Sequence, residues 1–292
     1  MSMFLNQLIN GLHVGSIYAL IALGYTMVYG IVRLINFAHG DLIMVGAYTI
    51  LVCITMLGFP MILAVCAAIL ICMVFGVTIE RVAYKPLRNA PRISALITAI
   101  GVSFLLENGF QLIFSANARP FPNVFPSTPL KLGTINVSIG TLITIAVVVG
   151  LMVMLTLFVQ RTKIGKAMRA VSEDMGAAQL MGIDINRTIA FTFAVGSALA
   201  GVASVLYCSA YPQATPTMGA MLGLKAFVAA VLGGIGSIPG AMIGGFVIGL
   251  AEAFVSAIGL SVWKDGMVFA ILIAVLLVKP GGLMGRSMQE KV

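Results

Sequence analysis

Nearly the whole chain is laid out as uncharged apolar runs separated by short polar turns, at roughly 9–32, 42–57, 61–82, 94–115, 139–159, 189–208, 225–259 and 263–279. About 20 apolar residues carry an α-helix across the hydrocarbon core of a bilayer. Runs of this length and number dictate an all-α, polytopic membrane protein with about eight helical membrane segments. Strands of a transmembrane barrel would alternate apolar and polar residues, and these runs do not. Only 9% of residues are charged, against roughly 25% in ordinary soluble domains. Eight spans would use roughly 160 residues, which leaves short loops and no soluble catalytic domain. Residues 1–292 read as a single transmembrane domain, with its longest polar loop at about 160–188.

The net charge is +8. In a soluble chain such a surplus would point to nucleic acid; here the bases cluster in loops and act as topology determinants, so no nucleic-acid partner is expected. Cys53, Cys66, Cys72 and Cys208 sit in or beside apolar runs without metal-ligand spacing, and read as small buried hydrophobes. No metal site is expected. The N-terminus lacks a basic leader and a small-residue cleavage site, so the first span is expected to be retained.

The run at 225–259 is too long for one span and is broken by Gly233, Gly234, Gly236, Pro239 and Gly240. Arg81, Lys85, Arg88 and Arg92 share one loop. Arg161, Lys163, Lys166, Arg169 and Arg187 share a second, and Lys279, Arg286 and Lys291 lie in the tail. The positive-inside rule puts all three on the cytoplasmic side. Three spans precede the first loop, which places the N-terminus outside. An even number of crossings must separate the second loop from the tail, so 225–259 should enter and return on one side as a re-entrant hairpin. The loop at 116–138, with Pro120, Pro122, Pro126 and Pro129, is then external.

In the longest cytoplasmic loop Met168, Val171, Met175 and Ala178 recur at helical spacing, with Lys166, Arg169 and Glu173 on another face. This predicts one amphipathic helix from Lys166 to Met181, ended near Gly182. By pattern alone it is either an interfacial helix on lipid headgroups or a docking helix for a cytoplasmic partner.

Five stretches carry a resemblance. The loop reads GKAMRAV at Gly165–Val171 and AAQLMGI at Ala177–Ile183. INFAHGD at Ile35–Asp41 is followed by Gly46-Ala47-Tyr48. LAGVA occupies Leu199–Ala203, and GLKAFVAAVLGG occupies Gly223–Gly234, running on through Pro239–Ala241 to Gly249–Ala253. Together they resemble the permeases of branched-chain amino acid ATP-binding-cassette importers, a family related to the sugar permeases. The resemblance spans about residues 9–284 and is strongest to the shorter permease subunit. One departure is Ser204, where a glycine is expected for close helix packing.

The resemblance implies a bacterial inner-membrane permease for leucine, isoleucine and valine or similar small solutes, not itself an enzyme. It implies a second homologous permease, two cytoplasmic ATPase subunits docking on Lys166, Arg169, Glu173, Asp174 and Gly182, and an external binding protein. ATP and Mg would be held by the ATPases; this chain has no G-x-x-x-x-G-K-[ST] run.

A charge at bilayer depth costs about 2.5–3.5 kcal/mol on insertion scales and is rarely idle. Ser103, Glu107 and Gln111 share one face, with Asn108 beside them. Tyr18, Tyr25 and Tyr29 form a second stripe, and Gly245, Gly249, Glu252 and Ser256 a third. These faces either pack helix on helix or line a path for a zwitterion, with acids near its ammonium. The candidates are Asn36, His39, Asp41, Glu107, Gln111 and Glu252. Lys225 reads as a snorkelling base that could instead meet a substrate carboxylate. Glycine-interrupted helices near 30–46 and 233–245 are a paired feature of transporter sites. Two rival readings remain. An ion-coupled secondary transporter would use Glu107 and Glu252 as proton carriers. An intramembrane enzyme lacks a recognisable motif around its only histidines, His13 and His39.

Overall fold

The computed structural model describes residues 2–32, 34–88, 90–125, 129–132 and 135–285. Pro126, Arg286 and Lys291 lie outside the described residues, as does the side chain of Arg92.

Among the described residues, seven helices are long and apolar enough to cross a membrane, and two shorter apolar helices accompany them. In chain order the helices are α1 (Ser2–Val32), α2 (His39–Thr55), α3 (Met61–Ile79), α4 (Arg92–Phe114), α5 (Ile139–Arg161), α6 (Lys163–Glu173), α7 (Met175–Leu180), α8 (Ile185–Ala210), α9 (Met218–Gly233), α10 (Ile238–Ala257) and α11 (Lys264–Val278). The sequence sets the starts. Pro60 and Pro91 precede α3 and α4. Ser138, Thr162, Asp174, Asp184 and Ser237 cap α5, α6, α7, α8 and α10 by accepting from backbone N–H groups. The run expected at 225–259 becomes two helices, α9 and α10, meeting at residues 234–237.

α1 is the buried axis. It packs along α10 and also touches α5, α8 and α9; α2 lies against α3, α8 and α9, while α4 and α11 stand at the edge. Because lipid gives apolar faces no reason to leave it, helices in a bilayer associate through close packing of small residues. Here a Cβ at Gly249 of α10 would overlap the backbone of Gly15 in α1, and one at Gly245 would overlap Ala19. Ser204, unexpected by family pattern, fits because it faces Gly46 of α2; its hydroxyl donates 2.7 Å to the Gly201 carbonyl of its own helix.

One end of the bundle carries strand β1 (Arg119–Pro120), the hairpin β2 (Pro129–Leu132) and β3 (Ile135–Ser138), and strand β4 (Gln213–Ala214). β1 pairs with β4, tying the α4–α5 loop to the α8–α9 connection. At the opposite end the α5–α8 loop, the end of α1 and the α3–α4 turn surround one groove. The α9–α10 turn meets Gly30 there. The N-terminal end of α1 and the α5–α8 loop therefore lie at opposite ends. Three cysteines are buried as expected, but Cys66 is exposed, because α3 buries only one face and Cys66 lies on the other.

Gly249→Val is expected to destabilise the fold by about 3 kcal/mol through overpacking, read as a fall in the unfolding midpoint in detergent. Gly101→Ala on α4, where a Cβ meets nothing within 4 Å, is expected to be neutral or stabilising by up to about 1 kcal/mol.

Candidate functional site

The long loop departs from the single helix that its periodicity predicts. Asp174 is extended at φ −152°, and its Oδ1 accepts 2.9 Å from the Ala177 N–H, so the chain stops α6 and restarts as α7. An Asp is a better cap than an interior helix residue, and local capping outcompetes continuation of the helix. Met168, Val171 and Ala178 are buried against the bundle as the pattern implies, while Met175 is exposed. Lys166, Arg169, Glu173, Asp174 and Gly182 all lie on the exposed side, with Gly182 at φ +80° where a side chain would be strained.

The connection before α2 runs within the bundle, whereas that before α9 comes in from the β4 end and is exposed at Tyr211, Pro212, Gln213 and Thr217. His39, at the start of α2, packs on Gly24 of α1. The stretch from Gly24 to Val32 corresponds to about 12 Å of helix, so residues 34–38 climb back inside the bundle before α2 begins. α9 starts against the same place, with Gly219 and Gly223 touching Gly40 closely enough that a Cβ at any of the three would clash. Two helix N-termini therefore cross at a glycine contact. Asp41 sits at that crossing. It is fully buried, its Oδ1 lies beside Gly219, and among the described residues no base is paired with it.

From α4, Ser103 and Glu107 act on Asp41. Glu107 is 8% exposed, with Oε1 unpartnered, and Gln111 is half-buried beyond it. His39 stacks edge-on against Tyr25, ring centroids 4.8 Å apart. Asn36 accepts from the Tyr84 hydroxyl at 3.0 Å. Asn36, His39 and Asp41 thus lie at one break with Glu107 beside them, and Gln111 lies one turn further along α4.

Glu252 stands apart from them. Its Oε2 accepts from the Tyr18 hydroxyl at 2.9 Å, and its Oε1 lies 2.7 Å from Lys225 Nζ, which reaches Asp265 Oδ1 at 2.6 Å. Lys225 is 5% exposed; it does not snorkel, because two acids from α10 and α11 supply its countercharge inside the protein. This cluster joins α1, α9, α10 and α11.

The glycine-rich turn is a backbone crossing. Gly233 lies against the Gly240 carbonyl, while Gly234 and Gly236 take φ +100° and +95°. Pro239 opens α10. The segment after α11 folds onto this turn: Leu283 N–H donates to Leu232 O at 2.8 Å and Met284 N–H to Gly233 O at 3.0 Å. Those are carbonyls that a helix end leaves without intrahelical partners.

The sequence assigns no site role to Tyr84, Glu80 or Asp265, and reads Arg88 as a topology determinant alone. Glu80, an acid at the end of an apolar run, is the available signal for Tyr84, Glu80 and Arg88.

Lys225→Met should destabilise by about 3 kcal/mol, because it strands the buried Glu252. Lys225→Met with Glu252→Leu should recover a large part of that loss, as read from unfolding midpoints in detergent.

The family model described as branched-chain amino acid transport system / permease component matches residues 7–276. The chain is 44% identical to the high-affinity branched-chain amino acid transport system permease protein BraD of Pseudomonas aeruginosa, over 99% of this chain and 98% of that protein. It is 46% identical to the corresponding LivH protein of Escherichia coli K12, with the same coverage. Similarity extends at 26% identity to the ribose import permease protein RbsC of Haemophilus influenzae, over 92% of this chain and 83% of that protein. No solved structure matches. With a long amphipathic loop on an all-α membrane bundle and full-length likeness to these permeases, the chain belongs to the branched-chain amino acid transport permease family.

Proposed function

We propose that the chain is one membrane-spanning half of an ATP-driven importer, moving leucine, isoleucine, valine or similar small zwitterions across the bacterial inner membrane. Residues 1–292 form its single transmembrane domain, with the coupling loop at about 160–188. The observation that carries this reading is the α6–α7 pair in a chain of this family: its apolar face is docked on the bundle and its charged face is left exposed. Two ATPase subunits would dock on Lys166, Arg169, Glu173, Asp174 and Gly182, and would themselves hold ATP and Mg. A second, homologous permease completes the membrane unit, and an external binding protein delivers substrate. Lys85 and Arg88 lie at the same end as this loop. Basic residues there support a cytoplasmic loop end and an external N-terminus.

In this proposal substrate passes the break around Asn36, His39 and Asp41. Asp41 and Glu107, acids without a countercharge, face the ammonium group, and Gln111 continues the path. Glu252 is engaged by Lys225 and holds helices together. An ion-coupled transporter would use Glu107 and Glu252 as proton carriers, but the likeness to branched-chain amino acid transport permeases weighs against it.

The test is leucine uptake into vesicles holding the full complex, with ATP inside and binding protein outside. Arg169→Glu and Glu173→Lys should lower uptake and ATP turnover together by roughly three- to tenfold, the scale of losing an interfacial charge contact, with membrane insertion unchanged. Asp41→Asn and Glu107→Gln should lower uptake about tenfold or more, on the scale of a lost hydrogen bond to a charged group, with normal assembly. Wild-type uptake by both acid variants would remove them from the path.

A further inference from the structure

At the α5–α8 loop end, an open groove of about 850 Å³ separates two parts of the protein. Met175, Gln179 and Ile183 of the coupling loop line one part, and Val32 and Leu34, beside the break before α2, line the other. The apolar face of the coupling loop packs on the bundle beside this gap, through Met168, Val171 and Ala178. What spans the gap is a chain of polar contacts. Asn186, two residues into α8 and directly after the coupling loop, accepts 2.6 Å from Arg88 Nη1. The other terminal nitrogen of Arg88 pairs with Glu80, a carboxylate 1% exposed. One helical step on, the Tyr84 hydroxyl lies 3.2 Å from the Ile35 carbonyl oxygen and 3.0 Å from Asn36 Oδ1.

Glu80 and Tyr84 bound a π turn (Glu80–Tyr84) in which the Lys85 N–H reaches back to the Glu80 carbonyl. Such insertions in helices concentrate at functional positions. The wider turn joins the two contacts through one short, buried piece of backbone. It also accounts for the base and the acid that the transport path leaves unused.

We infer that Asn186, Arg88, Glu80 and Tyr84 act as positioning residues that transmit movement of the coupling loop to the Ile35–Asn36 break, and so couple ATP turnover to passage at Asp41. Arg88 gives the chain its directional grip, since a guanidinium holds an amide oxygen and a carboxylate at once with fixed geometry. Tyr84 is the output, because its single hydroxyl proton lies between the unwound carbonyl of Ile35 and Asn36 Oδ1. The inference rests on the importer reading above.

The experiment uses the complete complex in vesicles with external binding protein, and reads leucine taken up per ATP hydrolysed. The wild type must show ATP-driven uptake; without it, the importer reading itself fails. Given that, Tyr84→Phe and Arg88→Ala should each keep ATP turnover while uptake per ATP falls roughly two- to thirtyfold, the range over which residues between sites modulate coupling. The double variant should fall no further than the worse single one, as members of one chain would. Should Tyr84→Phe fail to assemble, Asn186→Ala at the exposed end of the chain carries the same expectation. An unchanged ratio, an equal fall in uptake and turnover, or additive losses in the double variant would overturn the inference.

Discussion

A backbone inside lipid has no water to satisfy it, so every N–H and C=O must find a partner within the protein. Helices meet that demand by themselves; the places where this chain leaves the helix do not. The rest of the structure is arranged around those places. The break before α2 is bonded by Tyr84. The extended connection before α9 is held by pairing of β4 with β1. The α9–α10 turn is closed by Leu283 and Met284. Each partner comes from a segment distant in sequence, and each requires the backbones to approach closely, which is why glycines stand at Gly40, Gly219, Gly233 and Gly240.

The same requirement sorts the intramembrane charges. Lys225 pairs with both Glu252 and Asp265 between helices, and Tyr18 bonds the remaining oxygen of Glu252. Glu80 is neutralised by Arg88. Among the described residues Asp41 has no basic residue bonded to it, but it lies where the first turns of α2 and α9 cross. Partial positive charge at helix N-termini favours an anion there. A buried acid held by dipoles rather than by a base is suited to meeting a cationic group transiently, since no salt bridge has to be broken first.

The α6–α7 loop was legible because amphipathic periodicity is local: Met168, Val171 and Ala178 lie on the buried face that their spacing specifies. Its division at Asp174 was missed, since capping competes with helix continuation by only a small margin. Lys225 was misread for a different reason. Its span position suggested an edge, yet the acids that bury it lie on α10 and α11, and nothing near Lys225 in sequence announces them.

By itself the sequence determined the membrane-spanning class, the positions of the apolar helices and the one amphipathic loop outside them. Each of these follows from side-chain polarity repeated over a few turns. Only the tertiary structure decided which buried charges pair, which remain alone, and that two helices begin inside the bundle. Those outcomes depend on how helices are rotated, tilted and brought within a few ångströms of one another, and that relation is set by packing between segments up to hundreds of residues apart.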